Sequence, residues 1–193
     1  MEATRLPRVK ICCIASLAEA RLAIDAGAHA LGLVSAMPSG PGVITEETIA
    51  EVARAVPHPA ATFLLTSRQR VEEVVAQHQR CRTTTIQLVD TLTEGTHADL
   101  RSALPGVGLV QVIHVTGPES VDEALAVAGA VDALLLDSGN QRLAVKELGG
   151  TGRVHDWRLS AAIREAVPIP VFLAGGLNPE NVRAAIAEVG PWG

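Results

Sequence analysis

The sequence predicts an α/β fold, a (β/α)8 or TIM barrel of parallel strands, on three observations. Apolar strand-like runs alternate with helical patterns along nearly the whole chain, which is typical of a parallel sheet with right-handed crossovers. No Gly-x-Gly-x-x-Gly follows the first strand, so a doubly wound dinucleotide-binding sheet is disfavoured. Two glycine-rich turns lie near the C-terminal end, and barrels often bind phosphate beside their last strands.

Seven strands are predicted from short apolar runs that are bounded by turn-forming residues. The runs are rich in Val, Leu, Ile and Ala, as expected for parallel strands that are buried on both faces. In chain order the predicted strands span residues 9–14, 30–35, 60–66, 83–89, 108–115, 133–138 and 170–175.

Seven helices are predicted from the segments that separate and follow these strands. Four hydroxyl residues precede helical patterns and are good N-caps, because their oxygens accept hydrogen bonds from the first helical turn. These residues are Ser16, Thr45, Ser67 and Ser120. In chain order the predicted helices span residues 17–26, 46–56, 68–79, 98–104, 120–128, 157–167 and 179–188.

The eighth strand of the predicted barrel is not recognisable in the sequence. The last helix is followed directly by residues 190–193, Gly-Pro-Trp-Gly, which form no apolar strand-like run. Seven parallel strands would leave the first and the seventh with unpaired edges. We therefore expect one domain over residues 1–193 whose barrel is C-terminally incomplete, with a gap that an unseen final strand or a neighbouring chain would fill.

Composition narrows the classes of partner. The chain has 193 residues and a formal net charge of -5 with no basic patch, so neither nucleic acid nor a membrane surface is an expected partner. A homodimer is compatible with the incomplete barrel. The N-terminal residues lack the apolar run of a signal peptide, and no apolar stretch is long enough to span a membrane.

The three cysteines indicate a reducing compartment. Cys12 and Cys13 are adjacent and Cys81 is distant, which gives neither a disulfide framework nor zinc-ligand spacing. The sequence therefore predicts a cytoplasmic protein without a structural metal.

The two glycine-rich turns predict a phosphate site. Both follow predicted strands and precede helices, where glycine lets the backbone approach an anion and helix N–H groups point at it. A phosphorylated small molecule is therefore the leading ligand. The predicted phosphate-binding residues are Gly150, Thr151 and Gly152 in the first turn and Gly175 and Gly176 in the second.

One of the adjacent thiols is predicted to face the barrel axis. Side chains alternate along a strand, so Lys10 and Cys12 point one way while Ile11 and Cys13 point the other. The alternative is that both cysteines are small core residues. A catalytic thiol would need a pKa lowered by nearby positive charge.

Polar residues at strand ends are further candidates. Asp137 closes an apolar strand, so it is either a general acid or base, or a tether for the following loop. Gln87 and Asp90 close the fourth predicted strand and His114 lies near the end of the fifth, where each could line the barrel mouth.

Taken together, these residues resemble the phosphoribosylanthranilate isomerases, barrel enzymes of tryptophan biosynthesis. The likeness covers most of the chain in the right order, and the Gly-Gly-Thr-Gly to Asp-Trp segment followed by Ala-Gly-Gly-Leu is specific to this family. The matching stretches are residues 10–12, 26–34, 135–138, 149–157 and 173–182.

The resemblance implies an Amadori rearrangement of a phosphoribosyl-anthranilate to an open-chain ketose. It places the family's general base on Cys12 and its general acid on Asp137, makes Gln87 a substrate-binding residue, and requires neither a metal nor an organic cofactor. The residue types fit the chemistry, because opening a furanose needs a proton on the ring oxygen and the resulting iminium makes the neighbouring C–H acidic.

Three positions depart from the family pattern. Cys13 stands where the family usually has glycine, Gly42 where it has the arginine that meets the anthranilate carboxylate, and Val89 where it has histidine. Two alternatives to the anthranilate substrate follow. One, suggested by the lost arginine, is a paralogous isomerase that acts on another phosphorylated aminosugar. The other, suggested by the missing eighth strand, is a non-catalytic phosphate-binding relic or a partner-dependent fragment.

Overall fold

A computed structural model describes residues 6–139, 146–148, 150 and 152–193. Within these ranges seven strands and seven helices alternate, as the sequence predicts. The strands are β1 Lys10–Ile11, β2 Ala30–Val34, β3 Ala61–Thr66, β4 Thr85–Leu88, β5 Gly108–His114, β6 Ala133–Asp137 and β7 Val171–Leu173. The helices are α1 Leu17–Asp25, α2 Glu46–Ala55, α3 Val71–Cys81, α4 His97–Ala103, α5 Glu119–Ala128, α6 Trp157–Ala166 and α7 Val182–Val189.

The strands form one parallel sheet in the order β1 to β7, the arrangement of a (β/α)8 barrel. The curved sheet has one apolar core inside the barrel and another between the strands and the helices. Successive side chains of β5 point alternately into these two cores. Val110 and Val112 point into the barrel, whereas Leu109 and Ile113 pack under the helices. The carboxyl ends of all strands therefore meet at one mouth.

Two of the four predicted helix caps are confirmed. Ser16 and Thr45 accept hydrogen bonds from Glu19 and Thr48, respectively. Ser67 is not a cap, because α3 begins only after Arg70.

Ser120 is not a cap either, because α5 begins one residue before it. Its buried hydroxyl instead joins the end of β5 to the helix, accepting from the Thr116 amide and donating to the His114 carbonyl.

The seventh helix begins at Val182 rather than at Pro179 as predicted. The Asn178 side chain accepts hydrogen bonds from the amides of Glu180 and Asn181, which closes a local turn in place of the first helical turn. The Asn181 side chain in turn donates to the Gly176 carbonyl at 2.9 Å. This turn ties the second glycine-rich segment to the start of α7.

The expected gap between β1 and β7 is partly filled by the chain itself. The Trp192 amide donates to the Val171 carbonyl and the Leu173 amide donates to the Gly193 carbonyl, while the Arg8 amide donates to the Trp192 carbonyl. Residues 192–193 therefore lie between the two edges at the amino-terminal end of the sheet. In the described part of the chain the sheet has seven strands and no eighth, as predicted, but two residues too few to form a strand still bond to both edges.

Within the described ranges, none of the helices has the length and apolarity needed to cross a bilayer.

Candidate active site

A cavity of about 370 Å³ opens at the carboxyl ends of the strands. The predicted catalytic, substrate-binding and phosphate-binding residues line it, except for Thr151, which lies outside the described residues together with Gly149. These residues are Cys12, Gln87, Asp137, Gly150, Gly152, Gly175 and Gly176. Positions separated by up to 164 residues in sequence therefore meet at one mouth, as the parallel topology requires.

Both adjacent thiols reach the cavity, although strand alternation predicted only one of them there. The reason is that β1 ends at Ile11, so the alternation of a strand no longer governs the next residues. Cys13 has a φ of 61°, the left-handed conformation that favours glycine. The backbone thus turns at Cys13 and directs its side chain back to the mouth.

Gly42 provides the room that the Cys13 side chain occupies. A Cβ at Gly42 would lie 2.5 Å from the Cβ of Cys13, so the two positions cannot both carry ordinary side chains without a shift. The Cys13 thiol also contacts the Pro41 carbonyl at 3.5 Å. Two departures from the family pattern, at positions 13 and 42, are therefore complementary in space.

The environment of the thiols separates their pKa values. A hydrogen bond from Cys13 and the charge of Lys10 lower the pKa of Cys12 to about 5, although the walls of the mouth partly desolvate the thiol of this surface-exposed residue. The same hydrogen bond, together with burial and the Cys12 charge, raises the pKa of Cys13 far above its ordinary range. Cys12 is therefore the thiolate of the pair at neutral pH, and it is exposed to solvent.

Asp137 ends β6 and faces the mouth half-buried. Its Oδ1 accepts a hydrogen bond of 2.7 Å from the Ser138 amide, so the tethering role considered from sequence is present at that oxygen. A Cβ at Gly175 would lie 3.0 Å from the same Oδ1, which shows how closely the second glycine-rich turn approaches the carboxylate.

Gln87 supplies a buried acceptor that faces the cavity. Its side chain is only 3% exposed, and its Oε1 has no hydrogen-bond partner within the described residues. Leaving a buried carbonyl unpaired costs about 1–3 kcal/mol, so this oxygen is available to a ligand donor. The arrangement fits the substrate-binding role that the resemblance implies.

The two glycine-rich turns lie against one another. Gly176, with a φ of 64°, is so close to the first turn that an added Cβ would lie 2.7 Å from the carbonyl carbon of Arg153. Within the first turn, a Cβ at Gly150 would collide with the Pro41 ring. Glycine is therefore required by close packing as well as by backbone conformation at both turns.

Two residues proposed for the mouth do not line the cavity. Asp90 is 4% exposed and pairs with Lys146 at 2.5 Å, so its charge is used inside the protein. The buried His114 ring bonds to the Val89 carbonyl through Nε2, and a Cβ at Gly139 would collide with its Nδ1. Of the two roles open to each residue, that of a polar side chain paired inside the protein therefore applies, and that of a residue lining the mouth does not.

Sequence reasoning named Gly42 in the loop between β2 and α2 but missed the loop residues that line the cavity. Met37, Ser39 and Pro41 from this loop line the cavity. The Ser39 hydroxyl donates to the Lys146 carbonyl at 2.5 Å and accepts from the Leu148 amide at 3.3 Å. No local pattern predicts these contacts, because the partners are more than 100 residues apart.

The lining contains no metal-ligand set. In the described part of the chain, no three His, Cys, Asp or Glu residues cluster in a way that could hold a metal ion.

A parallel β/α sheet with a thiolate, a carboxylate and two glycine-rich turns at its carboxyl-terminal mouth defines the class of (β/α)8-barrel enzymes. The family model described as N-(5'phosphoribosyl)anthranilate (PRA) isomerase matches residues 9–193. The chain belongs to this family.

Individual relatives agree with the family match. N-(5'-phosphoribosyl)anthranilate isomerase 2 of Methanosarcina mazei is 34% identical over 187 residues, which cover 96% of this chain and 82% of the relative. The crystal structure of phosphoribosyl anthranilate isomerase from Thermotoga maritima is 26% identical, with a TM-score of 0.79 and coverage of 97% of this chain and 85% of that one. A further isomerase structure, in complex with reduced 1-(o-carboxyphenylamino)-1-deoxyribulose 5-phosphate, supports the fold at 24% identity and a TM-score of 0.76, with 97% and 84% coverage.

Proposed function

We propose that this chain catalyses the isomerisation of N-(5-phosphoribosyl)anthranilate to 1-(2-carboxyphenylamino)-1-deoxyribulose 5-phosphate, an Amadori rearrangement in tryptophan biosynthesis. The observation that carries the proposal is the meeting of Cys12 and Asp137 in one cavity, beside two closely packed glycine-rich turns. The reaction is an intramolecular redox change from aldose to ketose, for which one acid and one base suffice.

Asp137 acts as the general acid in this proposal. Its protonated carboxyl group donates to the furanose ring oxygen, the ring C1–O bond breaks, and the anthranilate nitrogen stabilises the iminium ion that forms. The site at the end of β6 supports the role, because it is half-buried and beside the phosphate turns.

Cys12 acts as the general base. Its thiolate takes the proton from sugar C2, the C–H electrons form the enamine, and tautomerisation of the enol gives the C2 ketone. A base must be unprotonated at working pH, and the lowered pKa of Cys12 meets this requirement.

The glycine-rich turns bind the substrate phosphate. The proposed ligands are backbone N–H groups of Gly150, Thr151, Gly152, Gly175 and Gly176, and the close approach at Gly176 supports one shared anion. Gln87 binds a substrate hydroxyl through its unpartnered Oε1.

Turnover by the purified chain is the test. We expect the concentration of N-(5-phosphoribosyl)anthranilate to fall, and the fluorescence of its anthranilate group measures this loss. Cys12→Ala and Asp137→Asn should each lower kcat by about 10²–10⁴, because each removes one proton-transfer group. Asp25→Asn, at an exposed position on α1, is the matched control. Near-wild-type turnover in either site variant would assign that role to another group.

A second candidate is an isomerase for another phosphorylated aminosugar. It is favoured by Gly42, which offers no cation for an anthranilate carboxylate and whose space Cys13 fills. Absence of turnover, with inorganic phosphate still raising Tm through the intact glycine turns, would favour this candidate.

Three further expectations belong to the proposal. The protein acts on its small-molecule substrate in the cytoplasm, residues 1–193 form one domain, and the chain assembles as a homodimer. Light scattering of the purified chain measures the last of these directly.

A further inference from the structure

We propose that Cys12 and Cys13 form a modification site at which a peroxide converts the two thiols to a reversible vicinal disulfide. The inference concerns the chemistry of the pair itself and goes beyond the proton transfer assigned to Cys12.

The geometry of the turn brings the two sulfurs together. Adjacent side chains in a strand point to opposite faces, but Cys13 lies beyond β1 and has a φ of 61°. Both side chains, on consecutive residues, therefore line the same cavity. Cys12 is exposed, so a small oxidant can reach its sulfur from the mouth.

The first step is oxidation of Cys12. Its thiolate attacks one oxygen of hydrogen peroxide, the O–O bond breaks, hydroxide leaves, and the sulfur becomes a sulfenic acid. The pKa of Cys12, lowered to about 5, keeps the reactive thiolate present at neutral pH.

The second step joins the two sulfurs. Cys13 attacks the sulfur of the sulfenic acid, the S–S bond forms, the S–O bond breaks, and the hydroxide leaves with the Cys13 proton as water. Overall, two thiols are oxidised and one peroxide is reduced to two waters.

Cys13 becomes a better nucleophile once the first step is complete. Its pKa is raised chiefly by the hydrogen bond to Cys12, then by burial and by the Cys12 charge. Sulfenic acid formation removes that charge and leaves the favourable charge of Lys10 in place. The first oxidation thus activates the second thiol.

The resulting disulfide should be easily reduced. Consecutive residues have Cα atoms about 3.8 Å apart, below the usual range of about 4.4–6.8 Å for disulfide partners. A ring closed across one peptide unit is therefore strained, and strained disulfides have higher reduction potentials. A small dithiol such as dithiothreitol restores both thiols.

The experiment treats the full chain with hydrogen peroxide, blocks the remaining thiols by alkylation and measures peptide masses. We expect the peptide with Cys12 and Cys13 to lose two hydrogens and resist alkylation, and dithiothreitol to reverse both changes. Cys81 is the internal control, because it is fully buried and burial raises its pKa to about 11. It should keep its thiol throughout.

Two variants separate this pathway from ordinary oxidation. In Cys13→Ser, Cys12 should gain two or three oxygens that dithiothreitol does not remove, since no resolving thiol remains. In Cys12→Ser, the remaining thiol should react far more slowly. Equal accumulation of added oxygens in wild type and Cys13→Ser, or disulfides only between copies of the chain, would overturn the proposal.

The mass readout does not depend on the proposed catalytic role. If Cys12 is the general base, disulfide formation should also lower turnover by about 10²–10⁴. Disulfide formation with unchanged turnover would remove the base role from Cys12 and leave the modification site intact.

Discussion

At the residue scale, the chemistry of the mouth depends on the few atoms that surround the Cys12 sulfur. The Cys13 hydrogen bond and the Lys10 charge favour its thiolate, while burial opposes it. Cys13 can make that hydrogen bond because Gly42 leaves space for its side chain. A substitution at position 13 or 42 should therefore alter reactivity at position 12.

The pH dependence of kcat/KM tests this coupling. The base must be a thiolate, so protonation of Cys12 should give an acidic limb on which activity falls as pH drops through about 5. In Cys13→Ala the largest cause of the lowered pKa is lost, and the acidic limb should move up toward the ordinary thiol value of about 8.5. Superimposable acidic limbs in the two proteins would show that Cys13 does not tune the base.

At the scale of elements, the loop between β2 and α2 forms one wall of the mouth. Hydrogen bonds to residues that are distant in the sequence hold this loop in place. Ser39 bonds to the backbone at Lys146 and Leu148, and the Lys146 ammonium pairs with buried Asp90 after β4. Three β/α units thus share one set of polar contacts at the rim. Of the departures from the family pattern, Gly42 lies in this loop and Cys13 contacts it through the Pro41 carbonyl.

Asp90→Asn should loosen this wall. The change keeps the side-chain volume but removes the charge that holds the partly exposed Lys146, so KM should rise more than kcat falls and the free energy of unfolding should drop by about 1–3 kcal/mol. Steady-state kinetics and urea unfolding measure the two effects.

Glu94→Gln is the matched control, because its ion pair with Arg70 is exposed and should contribute about 0–1 kcal/mol. Unchanged KM in Asp90→Asn would show that the loop is positioned without this ion pair.

The glycine-rich turn after β7 gives a second prediction at this scale. Gly176→Ala adds a Cβ in a left-handed conformation within 2.7 Å of the Arg153 backbone, so the turn must shift away from the first. Because phosphate is bound equally in the ground and transition states, KM should rise more than kcat falls.

The control for that change is Gly106→Ala, which has a similar φ of 82° but no atom within 4 Å of the added Cβ. It isolates the cost of the backbone conformation, about 1–2 kcal/mol, from the steric displacement. Equal KM values in the two variants would argue against a phosphate site at Gly176.

At the scale of the whole molecule, the barrel is held between its first and last strands by residues 192–193. Trp192 packs edge-on against Phe172 with ring centroids 5.1 Å apart, and the Arg8 guanidinium lies 5.8 Å from its ring. The Trp192 amide donates a hydrogen bond to the Val171 carbonyl, and the Trp192 carbonyl accepts one from the Arg8 amide. A short segment thus combines hydrogen bonds and aromatic packing at the sheet edge.

Trp192→Ala should lower the free energy of unfolding by about 1–2 kcal/mol, because the aromatic and cation–π contacts are lost. Urea unfolding followed by circular dichroism measures the change. Leu22→Ala, at a side chain that is 71% exposed on α1, removes apolar surface without packing and should change stability by less than about 0.5 kcal/mol. Equal midpoints for the two variants would mean that Trp192 does not stabilise the closure.

The sequence by itself determined the seven β/α units, the two glycine-rich turns and the candidate residues at strand ends, because periodicity and turn chemistry act over a few neighbouring residues. Errors arose where a local pattern had an alternative in three dimensions. Ser120 packs instead of capping, and Asn178 forms a turn that delays α7.

Only the tertiary structure decided which of these residues share a cavity and what surrounds them. The curvature of the sheet brings Ser39 to Lys146 and residues 192–193 to Arg8, and it buries Asp90 away from the mouth. The turn at Cys13 depends on the space at Gly42, on another loop. Such contacts join distant parts of the chain, so they follow from the packing of the whole sheet and leave no periodic trace in the sequence.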